Sequence, residues 1–127
     1  MEIETLKDID YIIAADVVYY DEVTTLFFHA LDWLGAIFRK TVTAFVALQK
    51  RKGSTQFDAV ISYPAYDFYL SELRKRQQNG SLIASQLNTK EVAHSCRNFE
   101  LTEDLVFWKI EIVPPHQRLM ELKMLND

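Results

Sequence analysis

The chain has 127 residues, a formal charge of −4, 49% hydrophobic and 13% aromatic residues. That is room for one small folded domain with one core, and the composition argues against disorder. The charge offers no general attraction to nucleic acid or to an anionic membrane.

No apolar run approaches the ~20 residues of a membrane span. The opening Met1-Glu2-Ile3-Glu4-Thr5 lacks the basic start and apolar core of a signal peptide. The single cysteine, Cys96, forms no internal disulfide. A reducing compartment, nucleus and/or cytoplasm, is therefore the expected intracellular location.

Residues 1–8 form a polar lead-in, residues 9–113 an α/β core and residues 114–127 a tail. The first strand is expected at about Asp10 to Ala15, an apolar run closed by Asp16. Parallel strands end this way as they leave an interior, and ligands of open α/β sheets bind outside such carboxyl ends. Asp16 and Tyr19 are therefore the first residues to inspect for chemistry. Asp followed by tyrosines is also an ordinary turn into a helix, with Asp16 accepting backbone hydrogen bonds.

Asp21 is placed to cap the next helix, with Glu22 in its first turn. Val23, Leu26, Phe27, Ala30, Leu34 and Ile37 recur at helical spacing and predict the buried stripe. Gly35 interrupts the pattern, as a close packing contact would require. Thr41 to Leu48 is apolar on both alternating faces and predicts a strand buried on both sides. Strand, helix and strand make a βαβ unit with a right-handed crossover.

Lys50 to Ser62 reads as a polar loop, and its Lys50-Arg51-Lys52 run as a solvated surface. Pro64 opens a helix over about Ala65 to Gln78, which Asn79-Gly80 ends. Leu82 to Leu87 is a short strand, and Thr89 to Cys96 one or two turns of helix. Asp104 to Val113 alternates like an antiparallel or edge strand with a wetter face. Gln117 to Asp127 forms a loose terminal helix.

His29, His94 and His116 lie far apart with no ligand spacing, so no metal site is expected. His29 reads as a partly buried structural histidine, Cys96 as an inert thiol, and Trp33 and Trp108 as core or half-buried residues. Only Gly35, Gly53 and Gly80 are present. No Gly-x-Gly turn exists to bring backbone against a phosphate or nucleoside.

Five blocks carry a family resemblance. Ala14-Ala15-Asp16-Val17-Val18-Tyr19, opening into Asp21-Glu22-Val23-Thr24, resembles the Asp-x-x-Tyr motif of seven-strand S-adenosylmethionine-dependent protein-lysine methyltransferases. The likeness continues through Leu48-Gln49-Lys50-Arg51 and Tyr66-Asp67-Phe68-Tyr69 to Leu105-Val106-Phe107-Trp108-Lys109-Ile110. It implies the C-terminal half of a Rossmann-like fold, β-α-β-α-β-β, with a mainly parallel sheet and an antiparallel last strand. It further implies S-adenosylmethionine as cofactor and a lysine of another protein as substrate. Asp16 and Tyr19 are assigned to substrate positioning, Ala14 and Ala15 to the wall of the cofactor pocket, and Tyr20 to an additional wall. The family's glycine-rich cofactor turn has no counterpart here. The rival expectation is a non-catalytic module that binds a protein partner through an exposed sheet edge, with another copy or the missing half of the fold as that partner.

Overall fold

A computed structural model describes residues 2–53, 62–88 and 104–118. Its elements are α1 (Ile3–Leu6), β1 (Tyr11–Ala15), α2 (Asp21–Ile37), β2 (Val42–Gln49), α3 (Pro64–Gln78), β3 (Leu82–Gln86) and β4 (Leu105–Ile112). The short α1 falls in what the sequence suggested was a plain lead-in. The expected helix over Thr89 to Cys96 lies outside the described residues. Of the expected terminal helix only a turn at residues 115–118 lies within them.

The strands form one sheet in the order β1-β2-β4-β3. β1 and β2 pair in parallel from Tyr11↔Thr43 to Ala15↔Ala47. β4 runs antiparallel to both its neighbours, β2 and β3. The chain is thus an α/β fold with a four-strand mixed sheet. The antiparallel last strand was expected, but its position makes β1–β2 the one parallel pairing.

Residue chemistry accounts for this order. Val106, Ile110 and Ile112 of β4 are buried apolar residues, suited to a central strand with hydrogen bonds on both sides. β3 carries Ser85 and Gln86, both exposed, which suit an edge.

One face of the sheet is covered and the other is open. Val42, Ala44, Val46 and Leu48 of β2 are buried beneath the helices with Ile110 and Ile112. On the opposite face Tyr11, Ile13, Phe45 and Ile83 are exposed, Ile13 by 85%. β2 is therefore not buried on both sides. Its continuous apolar character reflects an open face that is itself apolar.

The helix α2 turns a different stripe inward from the one its hydrophobic spacing suggested. Thr24, Phe28, Leu31 and Gly35 are buried, while Phe27, Leu34 and Ile37 pack at the margin. Val23 and Leu26 are exposed. The shift follows from Gly35: a Cβ there would meet Ile112 Cγ2 at 3.1 Å. The glycine lets α2 sit close over β4 and sets the rotation of the helix. Trp33 lies on the outer face, 52% exposed, and is not a core residue.

Aromatic packing joins the layers. Phe28 lies 5.5 Å from Tyr69 of α3, and Tyr69 lies 6.0 Å from Trp108 of β4. Arg76 of α3 clamps Asp32 of α2 with Nε at 2.9 Å and Nη2 at 2.8 Å, and also reaches Glu72 at 2.8 Å. Its guanidinium carbon lies 4.8 Å from the Phe28 ring centre. Gly80 ends α3 in the left-handed region, φ +80°, as a helix C-terminus favours.

Candidate functional site

The carboxyl ends of β1 and β2 lie side by side because the two strands are parallel and in register to Ala15↔Ala47. The Asp16 N–H still donates to the Ala47 carbonyl at 3.3 Å. The backbone then turns sharply, since Asp16 adopts φ +58°. Asp16 is the one non-glycine residue among the described residues with positive φ. Asp tolerates this region better than most L-residues, but at a cost, and such outliers gather at ligand sites and turns.

After Asp16 the chain dips once into the core at Val18, which is 3% exposed. That anchor holds the flanking Asp16 and Tyr19 outward, with Tyr19 41% exposed. Tyr20 meets Tyr19 edge-on with ring centres 4.6 Å apart. Tyr20, not Asp21, is the N-cap residue of α2 and makes no side-chain cap. Asp21 and Glu22 occupy the first turn, where the helix dipole favours them.

The strand end of β2 supplies cations to the same rim. The Arg51 guanidinium carbon lies 4.3 Å from the Tyr19 ring centre. Lys50 Nζ lies 4.9 Å from the Tyr63 ring centre and 5.6 Å from that of Tyr66. The Lys50 N–H donates to the Asp104 carbonyl at 2.7 Å. The Tyr63 hydroxyl donates to Asp104 Oδ1 at 3.2 Å. Burial pushes the Tyr66 phenol above its usual range.

The Lys50-Arg51 run is therefore not simply solvated. It joins the approach to α2 to the start of α3 through three cation–π contacts. The sequence displays the basic run but not which rings it meets, because that depends on helix placement.

The four residues singled out from sequence separate into two places. Ala14 and Ala15 line a hollow of about 170 Å³ with Ile13, Phe45, Ala47, Leu87 and Phe107. Asp16 and Tyr19 stand on the neighbouring rim and do not line that hollow. The expected partly buried role of His29 fails: it is exposed on α2. His94 and Cys96 lie outside the described residues.

A second hollow of about 390 Å³ lies at the opposite end of the sheet, among Asp32, Glu72, Lys75, Arg76 and Arg118. Lys75 and Arg76 are already paired with Glu72, and Arg76 also with Asp32. Asp32, Glu72, Lys75 and Arg76 answer one another as a helix–helix clamp, away from the strand carboxyl ends.

The hollow at Ala14 and Ala15 does not fit a complete S-adenosylmethionine. The cofactor carries a ribose diol and an amino-acid end, whereas no charged side chain lines the hollow. Its volume also falls below the ~300 Å³ typical of small-ligand sites. No family model, curated protein or solved structure matches the chain.

Proposed function

We propose that this chain forms the substrate side of an S-adenosylmethionine-dependent protein-lysine methyltransferase of the seven-strand type. Asp16 carries the reading. A carboxylate stands in a strained backbone conformation at the carboxyl end of a strand, where α/β sheets place their ligands. Two further observations support it. The aromatic pair Tyr19–Tyr20 follows directly, and the antiparallel last strand agrees with what the resemblance implies.

In this reading Asp16 accepts hydrogen bonds from the incoming lysine amine, and Tyr19, whose ring already carries Arg51, borders the approach to it. Both residues orient the amine, which is where most of the rate of a displacement reaction is gained. S-Adenosylmethionine supplies the methyl group when bound. The described residues do not fit that cofactor whole.

The test is a nuclear magnetic resonance titration of the chain with a short lysine peptide. Saturable shifts at the amides of Asp16, Val17 and Tyr19 are expected, with loss of those shifts in Asp16→Asn. Asparagine accepts the left-handed conformation, so the fold should persist while the charge is lost. Shifts confined to other regions would remove Asp16 from the site.

A further inference from the structure

β1 is an outer strand of the sheet, and nothing within it guards the edge. Natural edge strands carry charges, prolines or bulges that discourage pairing. Tyr11-Ile12-Ile13-Ala14-Ala15 has none of these, and Ile13 is 85% exposed. At the far edge, β3 carries Ser85 and Gln86.

We propose that β1 pairs with β1 of a second copy of this chain, antiparallel and centred on Ile13. The inference rests on the edge geometry of the described sheet; the methyl-transfer reading would instead set a further strand of its fold against the same edge.

The backbone fixes the register. Asp16 N–H points to β2. Residues of a strand alternate in the side to which they direct their N–H and C=O, so Ile12 and Ala14 also face β2. Tyr11, Ile13 and Ala15 therefore turn theirs to the free edge. Antiparallel hydrogen-bonded pairs form between residues whose polar groups both face the partner. Centring on Ile13 matches Ile13 with itself and Tyr11 with Ala15, so every outward group of β1 in both copies finds a partner.

The side chains agree with that register. Tyr11 falls opposite Ala15 on the open face, and Ile12 falls opposite Ala14 on the covered face. In each pair a large residue meets a small one, which lets the two surfaces interdigitate. The two-fold axis is perpendicular to the sheet, so both helical layers lie on one face.

The flanks supply the remaining check. Asp16 of each copy falls opposite Asp10 of the other, a like-charged pair. Lys40 already bonds Asp10 and supplies the cation between them. The second copy thus brings an ammonium to the Asp16 rim.

Sedimentation equilibrium of the intact chain should show a dimer. Ile13→Lys should raise its dissociation constant at least tenfold without altering the circular dichroism, since the side chain makes little contact within one copy. In a Cys96→Ser background, Ile13→Cys should form an inter-chain disulfide on oxidation, because its Cα is ~5.5 Å from its symmetry mate. Tyr11→Cys in that background should not, because two such residues lie several strand positions apart. A monomer at every concentration would overturn the proposal, as would a dimer indifferent to Ile13→Lys. Equal cross-linking from Tyr11→Cys would refute the register.

Discussion

Asp16 holds its left-handed backbone because the residues on either side leave no alternative. Its N–H is still bonded to β2, and Val18 two residues later is buried. The fold therefore carries the conformational cost, and substitution should reveal it. Asp16→Val should lower stability by about 1–2 kcal/mol in urea denaturation, whereas Asp16→Gly should leave it unchanged or raise it.

A second residue tells the opposite story. Tyr69 is fully buried, and its hydroxyl has no hydrogen-bond partner. Burial pushes that phenol far above its usual range. The ring is needed between Phe28 and Trp108, but the hydroxyl is a desolvated polar group. Tyr69→Phe should therefore raise the urea midpoint, by about 1 kcal/mol of stability. A fall would mean that the hydroxyl has a partner in solution. The Trp108 Nε1 also closes no hydrogen bond, though it lies near enough to the Tyr66 hydroxyl to act on it.

At the scale of elements, α2 and α3 are held together by apolar contact around Phe28 and by the Arg76 clamp. Arg76 is 9% exposed and bonded to two carboxylates. Removing it leaves Glu72 half-buried without its main partner. Arg76→Met should cost about 2–3 kcal/mol, less than a fully buried pair because Asp32 remains partly in water.

The same clamp predicts an acid-sensitive step. The hydrogen bond from Arg76, then that from Lys75, hold the Glu72 carboxyl below its usual range. A depressed carboxyl stabilises the fold fully above its unfolded value and loses that contribution as pH falls through the folded one. Stability should therefore decline below pH ~4.3, and Glu72→Gln should flatten that part of the profile. An unchanged profile would show that Arg76 does not stabilise the Glu72 anion.

Most of the elements were legible in the sequence, and their contacts were less so. The strand ending at Ala15, the helix opening at Asp21 and the stop at Gly80 all follow from local chemistry. The inward stripe of α2 did not, because Val23, Leu26 and Trp33 make its outer face apolar too. Spacing alone cannot choose between two apolar faces; the close approach of Gly35 to Ile112 does. Arg51 on Tyr19 was hidden for a related reason. Cation–π pairs between distant segments depend on where helices start, not on any local pattern.

Taken as a whole molecule, the sheet has two unlike faces and two unlike edges. Helices cover one face, and Tyr11, Ile13, Phe45 and Ile83 stand exposed on the other. Among the described residues no helix is long and apolar enough to cross a membrane. The strand carboxyl ends carry Asp16, Tyr19, Arg51 and Lys50 together, with an apolar hollow beside them at Ala15. That arrangement sets a carboxylate, aromatic rings and cations beside a hollow whose described lining carries no charged side chain.

Calorimetric titration of S-adenosylmethionine into the purified chain tests this division of the site most directly. The account predicts no saturable heat. Stoichiometric binding at micromolar concentration would contradict it, because the cofactor contacts would then be present within this chain.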